Sequence, residues 1–264
     1  ATRYGGMENA SAIFYSEDAV ADGRDSEELL AHEIAHQWFG NTVTEADWPH
    51  LWLSEGFATY LTGLWLEDTY GAARLAGYMN SARRRVLAFN RQNPGQPLVD
   101  TVYAHPNELL NTNPYQKGAW VLHMLRQEVG TKAFWEGLRA YYDRYRHQNA
   151  STSDFRAVME EVSGQDLEAF FEQWTRRAGH PVVEGRWRRD AERGECVIHL
   201  EQTQDGAPFR FPIDVRLTTD RGRTETLTVT QRKETFRLDC ERRPSEVTLD
   251  PNVQLLAELA LQAE

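Results

Sequence analysis

The sequence predicts an α+β fold in which a mainly helical domain, residues 1–179, precedes a small β-sandwich domain, residues 180–264. Up to Gly179, apolar residues recur every three or four positions, which is the period of an amphipathic helix. After Pro181 the period changes to two, and short apolar runs separated by turn residues are typical of sandwich strands. A chain of 264 residues, 41% of them hydrophobic, is long enough to form two domains, each with its own core.

The first predicted helix carries the run His32–His36, with the sequence His-Glu-Ile-Ala-His. Asp25 and Glu28 form a capping-box pattern at its start, and Gly40 ends the apolar pattern. The two histidines are therefore expected in the middle of the helix. Because residues four apart lie on one helix face, both imidazoles are expected to point at one metal ion, with the intervening glutamate beside them.

A second helix is predicted to begin near Ser54 and to end before Gly71. Its apolar residues at helical spacing are Phe57, Leu61, Leu64 and Trp65. This helix carries Glu55 in its first turn. Two imidazole nitrogens and one carboxylate oxygen leave a fourth coordination position for water, which is typical of catalytic rather than structural zinc. The sequence therefore predicts one Zn²⁺ per chain, held by His32, His36 and Glu55.

The other predicted elements follow in order along the chain. Helices are expected at residues 72–92, 114–128, 131–147, 153–162 and 166–177. Residues 93–113, rich in proline and asparagine, have no period and predict a loop at the border of the active site. Strands are expected at residues 197–200, 209–217, 224–229, 235–238 and 247–249, with a turn at residues 220–222.

Three separate stretches carry a longer pattern. They are Gly5-Gly6-Met7-Glu8-Asn9, then His32 to Asn41 with Trp52 to Ala58, and finally Asn113-Pro114-Tyr115-Gln116-Lys117-Gly118. In this order and at these separations they resemble the aminopeptidase N-like zinc metallopeptidases, gluzincins with a thermolysin-like catalytic domain whose members include leukotriene hydrolase. The resemblance covers nearly the whole chain and implies a zinc aminopeptidase that acts on peptides with a free N-terminus.

The resemblance also implies roles for individual residues. Glu33 would be the general base, accepting a proton from zinc-bound water whose pKa falls from about 15.7 towards about 7. Tyr115 would donate a hydrogen bond to the oxyanion of the reacting carbonyl. Glu8 would pair with the free α-ammonium of the substrate. The rest of its motif, which would bind the substrate as an antiparallel strand, is Gly5, Gly6, Met7 and Asn9.

Three other functions are compatible with the sequence: a zinc endopeptidase, an epoxide hydrolase like leukotriene hydrolase, and an inactive binding scaffold. Glu8 argues against an endopeptidase, since pairing with an ammonium group requires a free N-terminus. The intact ligand set, together with Glu33 and Tyr115, argues against a scaffold, which has no need of these residues. The sequence contains no lipid-tunnel signature that favours the epoxide reaction.

Some features depart from the family pattern. Ser54 stands where relatives commonly have asparagine, and Gln116 stands where many have an acidic residue. Family members also have an N-terminal β-domain and several catalytic-domain strands before the motif that begins here at Gly5. We therefore expect an N-terminally truncated piece of a longer protein, which lacks that β-domain.

Composition limits the partners and the location. A formal net charge of −11 argues against binding to nucleic acid or to an anionic membrane surface. No apolar run approaches the roughly 18 residues of a membrane span, so a soluble protein is expected, with the cytoplasm favoured over secretion. The two cysteines, Cys196 and Cys240, are compatible with free thiols or with one disulfide, and free thiols are favoured.

Overall fold

The computed structural model describes residues 4–21, 26–219 and 222–264. The chain divides into two compact units, Ala1–Ala178 and Gly179–Glu264. Within the described ranges, no helix combines the length and the hydropathy needed to cross a membrane.

The first unit is mainly helical. Its helices are α1 (Glu17–Ala21), α2 (Glu27–Ala35), α3 (Trp52–Tyr70), α4 (Ala72–Gln92), α5 (Gly118–Val129), α6 (Thr131–Tyr145), α7 (Thr152–Ser163) and α8 (Glu168–Phe171). Its short strands are β1 (Gly6–Met7), β2 (Phe14–Tyr15), β3 (Val43–Glu45) and β4 (Gln148–Ala150); β1 pairs antiparallel with β2, and β3 pairs parallel with β4. Two 3₁₀ helices span Trp48–His50 and Pro106–Leu109, and two π-helices span Asn113–Lys117 and Glu172–Arg176.

Helix α3 runs through the core of this unit. Phe57, fully buried on α3, stacks against Phe39 with ring centroids 4.6 Å apart and meets Phe155 of α7 at 5.1 Å. Tyr141 of α6 completes the cluster, 5.0 Å from Phe155. Burial of one such ring contributes roughly 1.5–3 kcal/mol, so this cluster fixes the N-terminal half of α3, which carries Glu55.

Helix α2 is shorter than the sequence predicts. It ends at Ala35, so His32 lies in its last turn and His36 is its C-cap. The expectation that both histidines lie in the middle of the helix was therefore wrong for both of them. The chain leaves the helix there because Gly40, at φ +122°, turns it back towards β3. Ser26 is the N-cap, without a side-chain capping bond, and Asp25 of the predicted capping box lies outside the described residues.

Other helices follow the predicted ranges more closely. The helix that carries Glu55 begins two residues before Ser54, and Gly71, at φ +89°, is its C-cap. Residues 114–128, predicted as one helix, begin as a π-helix and continue as α5, and residues 166–177 divide between α8 and the second π-helix. The predicted loop at residues 93–113 contains a 3₁₀ helix, and Asn113 closes it by donating to the carbonyls of Gln96 and Pro97 at 3.2 and 3.0 Å.

The second unit contains seven described strands in two sheets. They are β5 (Val182–Asp190), β6 (Glu195–Gln202), β7 (Phe211–Thr218), β8 (Arg223–Val229), β9 (Lys233–Asp239), β10 (Glu246–Leu249) and β11 (Glu258–Ala263). The sheet orders are β10-β7-β8 and β11-β5-β6-β9, antiparallel except for the parallel pair of β11 with β5. Residues alternate between buried and exposed along β5 and β7.

Two of these strands, β5 and β11, are absent from the sequence prediction. The exposed face of β5 carries arginine and glutamate, and Gly185 interrupts the buried face, so the apolar pattern of the strand is weak in the sequence. The residues of β11 are mostly good helix formers, and the strand exists through its pairing with β5. The turn predicted at residues 220–222 is described only at Gly222, because residues 220 and 221 lie outside the described ranges.

Cys196 and Cys240 are buried and are not joined by a disulfide.

Candidate metal centre and active-site cleft

The three predicted metal ligands converge in the first unit. Nε2 of His32 lies 3.1 Å from Nε2 of His36 and 3.3 Å from Oε2 of Glu55. The distance from Nε2 of His36 to the same carboxylate oxygen is 3.2 Å. In the described part of the chain, these side chains form the one group of three or more histidine, cysteine or acidic residues positioned to share an ion.

These distances suit a tetrahedral metal ion. Bonds of about 2.0–2.1 Å from zinc to nitrogen or oxygen place two tetrahedral ligands about 3.3 Å apart. The three measured separations lie close to that value. Two imidazoles and one carboxylate are also a ligand set of catalytic zinc. His32, His36 and Glu55 therefore fit the ion that the sequence predicts.

The imidazole of His36 is oriented by the turn after α2. Its Nδ1 lies 3.0 Å from the carbonyl oxygen of Phe39. A proton on Nδ1 donated to this oxygen leaves the lone pair of Nε2 free for a metal. Gly40 keeps the turn close to the ring, because a Cβ on Gly40 would lie 2.9 Å from Nδ1.

The carboxylate of Glu55, a candidate metal ligand, is held in its charged form. Burial opposes ionisation of Glu55, but hydrogen bonds and charge interactions with His32 and His36 outweigh it and lower the pKa of Glu55 to about 2. Burial also disfavours the charged form of His36, and its hydrogen bond to Glu55 outweighs this and raises the pKa of His36. The cluster therefore presents an ionised carboxylate to a cation at neutral pH.

Glu33 is buried beside this cluster, on α2 between the two histidines. Burial raises its pKa to about 7; Glu8 and Glu55 act in the same direction, while His36 acts against them. The backbone of Gly6 lies directly against the Glu33 carboxylate, since a Cβ on Gly6 would lie 2.1 Å from Oε1. A pKa near 7 suits a group that accepts and releases protons at neutral pH.

Tyr115 lies in the first π-helix, which follows the loop at residues 93–113 in the chain. Its ring stacks on the imidazole of His32. Burial and the carboxylate of Glu55 raise the pKa of Tyr115 above its usual value, so the phenol stays protonated and can donate a hydrogen bond. Short π-helical turns occur frequently at functional sites.

The predicted substrate motif lies along the same cleft. Gly6 and Met7 form β1, and the half-buried Glu8 follows this strand. The carbonyl oxygen of Glu8 accepts hydrogen bonds from Nε2 of Gln37 at 3.0 Å and Nδ2 of Asn41 at 2.6 Å. These two bonds tie Glu8 to the turn that follows α2.

A cavity of about 850 Å³ joins these groups. Its lining includes the predicted residues Gly5, Gly6, Met7, Glu8, His32, Glu33, His36, Glu55 and Tyr115. Asn9 is exposed and is not among the residues that line it. The lining contains four glutamates and no lysine or arginine among its described residues. This charge favours a cationic group in the cleft, such as an ammonium.

Sequence reasoning missed several residues that support the cleft. Gln37 and Asn41, which hold Glu8, fall inside the family pattern, but no local signal assigns them that contact. Glu45 also lines the cavity and accepts a short hydrogen bond from the hydroxyl of Ser54. Burial raises the pKa of Glu45. This pair joins β3 to the first turn of α3 and depends on tertiary packing, which the sequence does not display.

Comparison with known proteins identifies the family of the chain. Residues 1–174 match the family model described as "Peptidase family M1 domain". The chain therefore belongs to peptidase family M1.

Individual relatives are aminopeptidases. The chain is 33% identical over 221 residues to aminopeptidase M1-C of Oryza sativa subsp. japonica, which covers 79% of this chain and 25% of that protein. It is 33% identical over 199 residues to aminopeptidase N of Lactococcus lactis subsp. lactis, covering 68% of this chain and 23% of that protein. The chain thus spans about a quarter of the length of the curated relatives it matches.

A solved structure shares the fold. Legionella pneumophila aminopeptidase A, crystallised in complex with aspartic acid, superposes with a TM-score of 0.71 at 20% sequence identity. The match covers 90% of this chain and 26% of the Legionella chain.

Proposed function

We propose that this chain carries the catalytic site of a zinc-dependent aminopeptidase, which removes the N-terminal residue from peptides. The observation that carries the proposal is the set of three ligand atoms of His32, His36 and Glu55, separated by 3.1–3.3 Å, in one cleft with Glu33, Tyr115 and Glu8. Membership of family M1 and the names of the relatives support it.

Zinc is the metal typical of this family, and one ion per chain would be held by His32, His36 and Glu55. When bound, it polarises the substrate carbonyl and makes water a nucleophile at neutral pH. Glu33 accepts the proton of the attacking water and delivers it to the leaving amine. Its place between the two histidines on α2 keeps it next to the reacting atoms without making it a ligand.

Tyr115 stabilises the negative charge that develops on the carbonyl oxygen. Its phenol stays protonated at neutral pH because its pKa is raised, so it donates a hydrogen bond to that oxygen. One donor of this kind contributes about 2.7–4 kcal/mol to lowering the barrier.

Glu8 makes the enzyme an exopeptidase. Its carboxylate pairs with the α-ammonium of the substrate and so fixes the first peptide bond next to Glu33 and Tyr115, which line the same cavity. The hydrogen bonds from Gln37 and Asn41 to its carbonyl support this position. The substrate backbone extends along the Gly5–Asn9 segment as an added strand, with β2 on its other edge.

The test compares aminoacyl chromogenic substrates with their N-acetylated forms. The proposal expects cleavage of the free-amine substrates alone, and loss of the rate when a chelator removes the metal. Equal cleavage of both forms would refute the exopeptidase assignment and favour an endopeptidase. Retention of the full rate in metal-free protein would refute the metal-dependent chemistry.

We also propose that the two compact units correspond to a catalytic domain, residues 1–179, and a β-sandwich domain, residues 180–264. The helical content of the first unit and the two sheets of the second support this division. Partial proteolysis tests it, with the first cut expected close to Gly179.

A further inference from the structure

Two glycines lie where the segment that carries Glu55 meets the segment that carries Tyr115. Gly56 follows Glu55 in α3, and Gly118, the C-cap of the Tyr115 π-helix, is the first residue of α5. A Cβ on Gly56 would lie 2.9 Å from the C and Cα atoms of Gly118, and a Cβ on Gly118 would lie 2.9 Å from Cα of Gly56. The two segments are therefore in direct backbone contact.

The contact extends to both sides of Tyr115. The same Cβ on Gly56 would also lie 3.0 Å from the carbonyl oxygen of Pro114. The backbone before Tyr115 and the backbone after it both rest against Gly56. The position of the tyrosine relative to α3 is thus set by backbone atoms, which cannot move aside as a flexible side chain can.

Backbone conformation does not explain these glycines. Gly118 has φ −57° and ψ −47°, and Gly56 lies inside α3, so both adopt helical angles open to any L-residue. In a helix interior, glycine is less favourable than alanine by about 1 kcal/mol. Close approach of the two segments is the reason that remains.

We propose that Gly56 and Gly118 are positioning residues, which set the distance between the oxyanion donor Tyr115 and the metal ligand Glu55. This inference rests on the proposed aminopeptidase function. A methyl group on either glycine must move from 2.9 Å to at least 3.4 Å, where ordinary contact begins, and this moves the π-helix away from α3 by about 0.5 Å or more.

Such a shift affects turnover more than binding. Misplacing a catalytic group by 1 Å costs up to about 10²-fold in rate. We expect Gly118→Ala and Gly56→Ala to lower kcat roughly 10- to 100-fold, with KM within about threefold of the wild type. The zinc affinity of Gly118→Ala, measured by titration of metal-free protein, is expected within about threefold of the wild type, because none of the proposed zinc ligands lies on the π-helix or on α5.

Two other helix glycines supply matched controls. Gly77 on α4 has no atom within 4 Å of an added Cβ, so Gly77→Ala should keep full activity. Gly63 lies on α3 itself, where an added Cβ would lie 3.0 Å from Leu75 and 3.1 Å from Tyr78. Gly63→Ala should lower the melting temperature without lowering kcat, which separates general strain in α3 from displacement of Tyr115.

A double-mutant cycle with Tyr115→Phe decides whether the effect passes through the tyrosine. If it does, adding Gly118→Ala to Tyr115→Phe changes kcat by less than about twofold. An equal fold-loss of kcat in both backgrounds would overturn the proposal, as would a large loss in Gly63→Ala. If one alanine variant does not fold, the other tests the same contact.

A structural readout keeps the inference separate from the proposed function. Crystal structures of Gly118→Ala and Gly77→Ala should show Tyr115 displaced from Glu55 by 0.5 Å or more in the first variant alone. If the wild type cleaves no aminoacyl substrate, the proposed function fails, and these structures still test the contact. An unmoved Tyr115 in Gly118→Ala, or in Gly56→Ala where Gly118→Ala does not fold, would overturn the inference in either case.

Discussion

The ring of Tyr115 stacks on the imidazole of His32, with centroids 6.2 Å apart and planes inclined by 18°. The two residues come from different helical elements, α2 and the π-helix before α5. This contact places a protonated phenol beside a residue of the candidate metal centre. The ring and the hydroxyl of Tyr115 can therefore be tested separately.

Tyr115→Phe keeps the ring and removes the donor. We expect kcat to fall about 10²–10³-fold, because one oxyanion donor is lost, while KM and zinc content stay near the wild-type values. Steady-state kinetics and metal analysis of the purified variant measure these quantities. Tyr70→Phe, at an exposed tyrosine, is the control expected to keep full activity. Unchanged turnover in Tyr115→Phe would contradict the oxyanion role.

Glu33→Gln tests the general base. The amide has nearly the same volume but cannot accept the proton, so we expect turnover to fall about 10²–10⁴-fold. Zinc stays bound, since the ligands His32, His36 and Glu55 are intact. Glu33→Ala should behave in the same way. Glu28→Gln on the same helix, where the carboxylate pairs with Arg74 at the surface, is the control. A fully active Glu33→Gln variant would rule out proton transfer by this residue.

Glu8→Gln tests recognition of the substrate amine. Hydrogen bonds to charged groups contribute about 1.5–3 kcal/mol, so kcat/KM for aminoacyl substrates should fall roughly 10- to 150-fold. Asn41→Ala should weaken the same step more mildly, because it removes one of the two donors that hold the Glu8 carbonyl. The measurement is kcat/KM for one free-amine substrate across the variants, with Glu17→Gln as the control. If kcat/KM is the same for the wild type and all of these variants, Glu8 does not bind the substrate amine.

The sequence predicts the candidate ligands because each of them lies in a short run that is recognisable by itself. Helical spacing alone brings His32 and His36 to one face, and the run around Glu55 is recognisable by itself. The contacts of Gln37 with Glu8 and of Ser54 with Glu45 join separate segments, so no single stretch reveals them.

The elements that the sequence did not predict have a similar cause. The residues of strand β11 have high helix propensity, and the strand is stabilised by pairing with β5. The π-helix at Asn113–Lys117 packs against α3, and in sequence it has the proline start of an ordinary helix, so no local signal distinguishes it. Family membership is shown by the comparisons, whereas the roles of the individual site residues are predictions for the variants described here.

Lys117 gives a prediction about stability. Lys117 is the last residue of the first π-helix, and its side chain is fully buried. Its ammonium lies 3.4 Å from the carbonyl oxygen of Arg177. Burial lowers the pKa of Lys117 from 10.5 to about 8. Keeping the charged form in the folded state therefore costs on the order of 3 kcal/mol at neutral pH.

Lys117→Met removes this cost while filling a similar volume, so the variant should be more stable than the wild type at pH 7. Between about pH 8 and pH 10.5 the unfolded chain holds a proton that the folded protein has lost, so the wild type gains stability as the pH rises through this window. Lys117→Met lacks this gain, and the difference between the two proteins shrinks. Urea unfolding at pH 7 and pH 9.5 measures it, with Lys132→Met, at an exposed lysine, as the control. A difference that stays constant with pH would show that Lys117 does not titrate in this window, because only its deprotonation in the folded state makes the difference between the two proteins depend on pH.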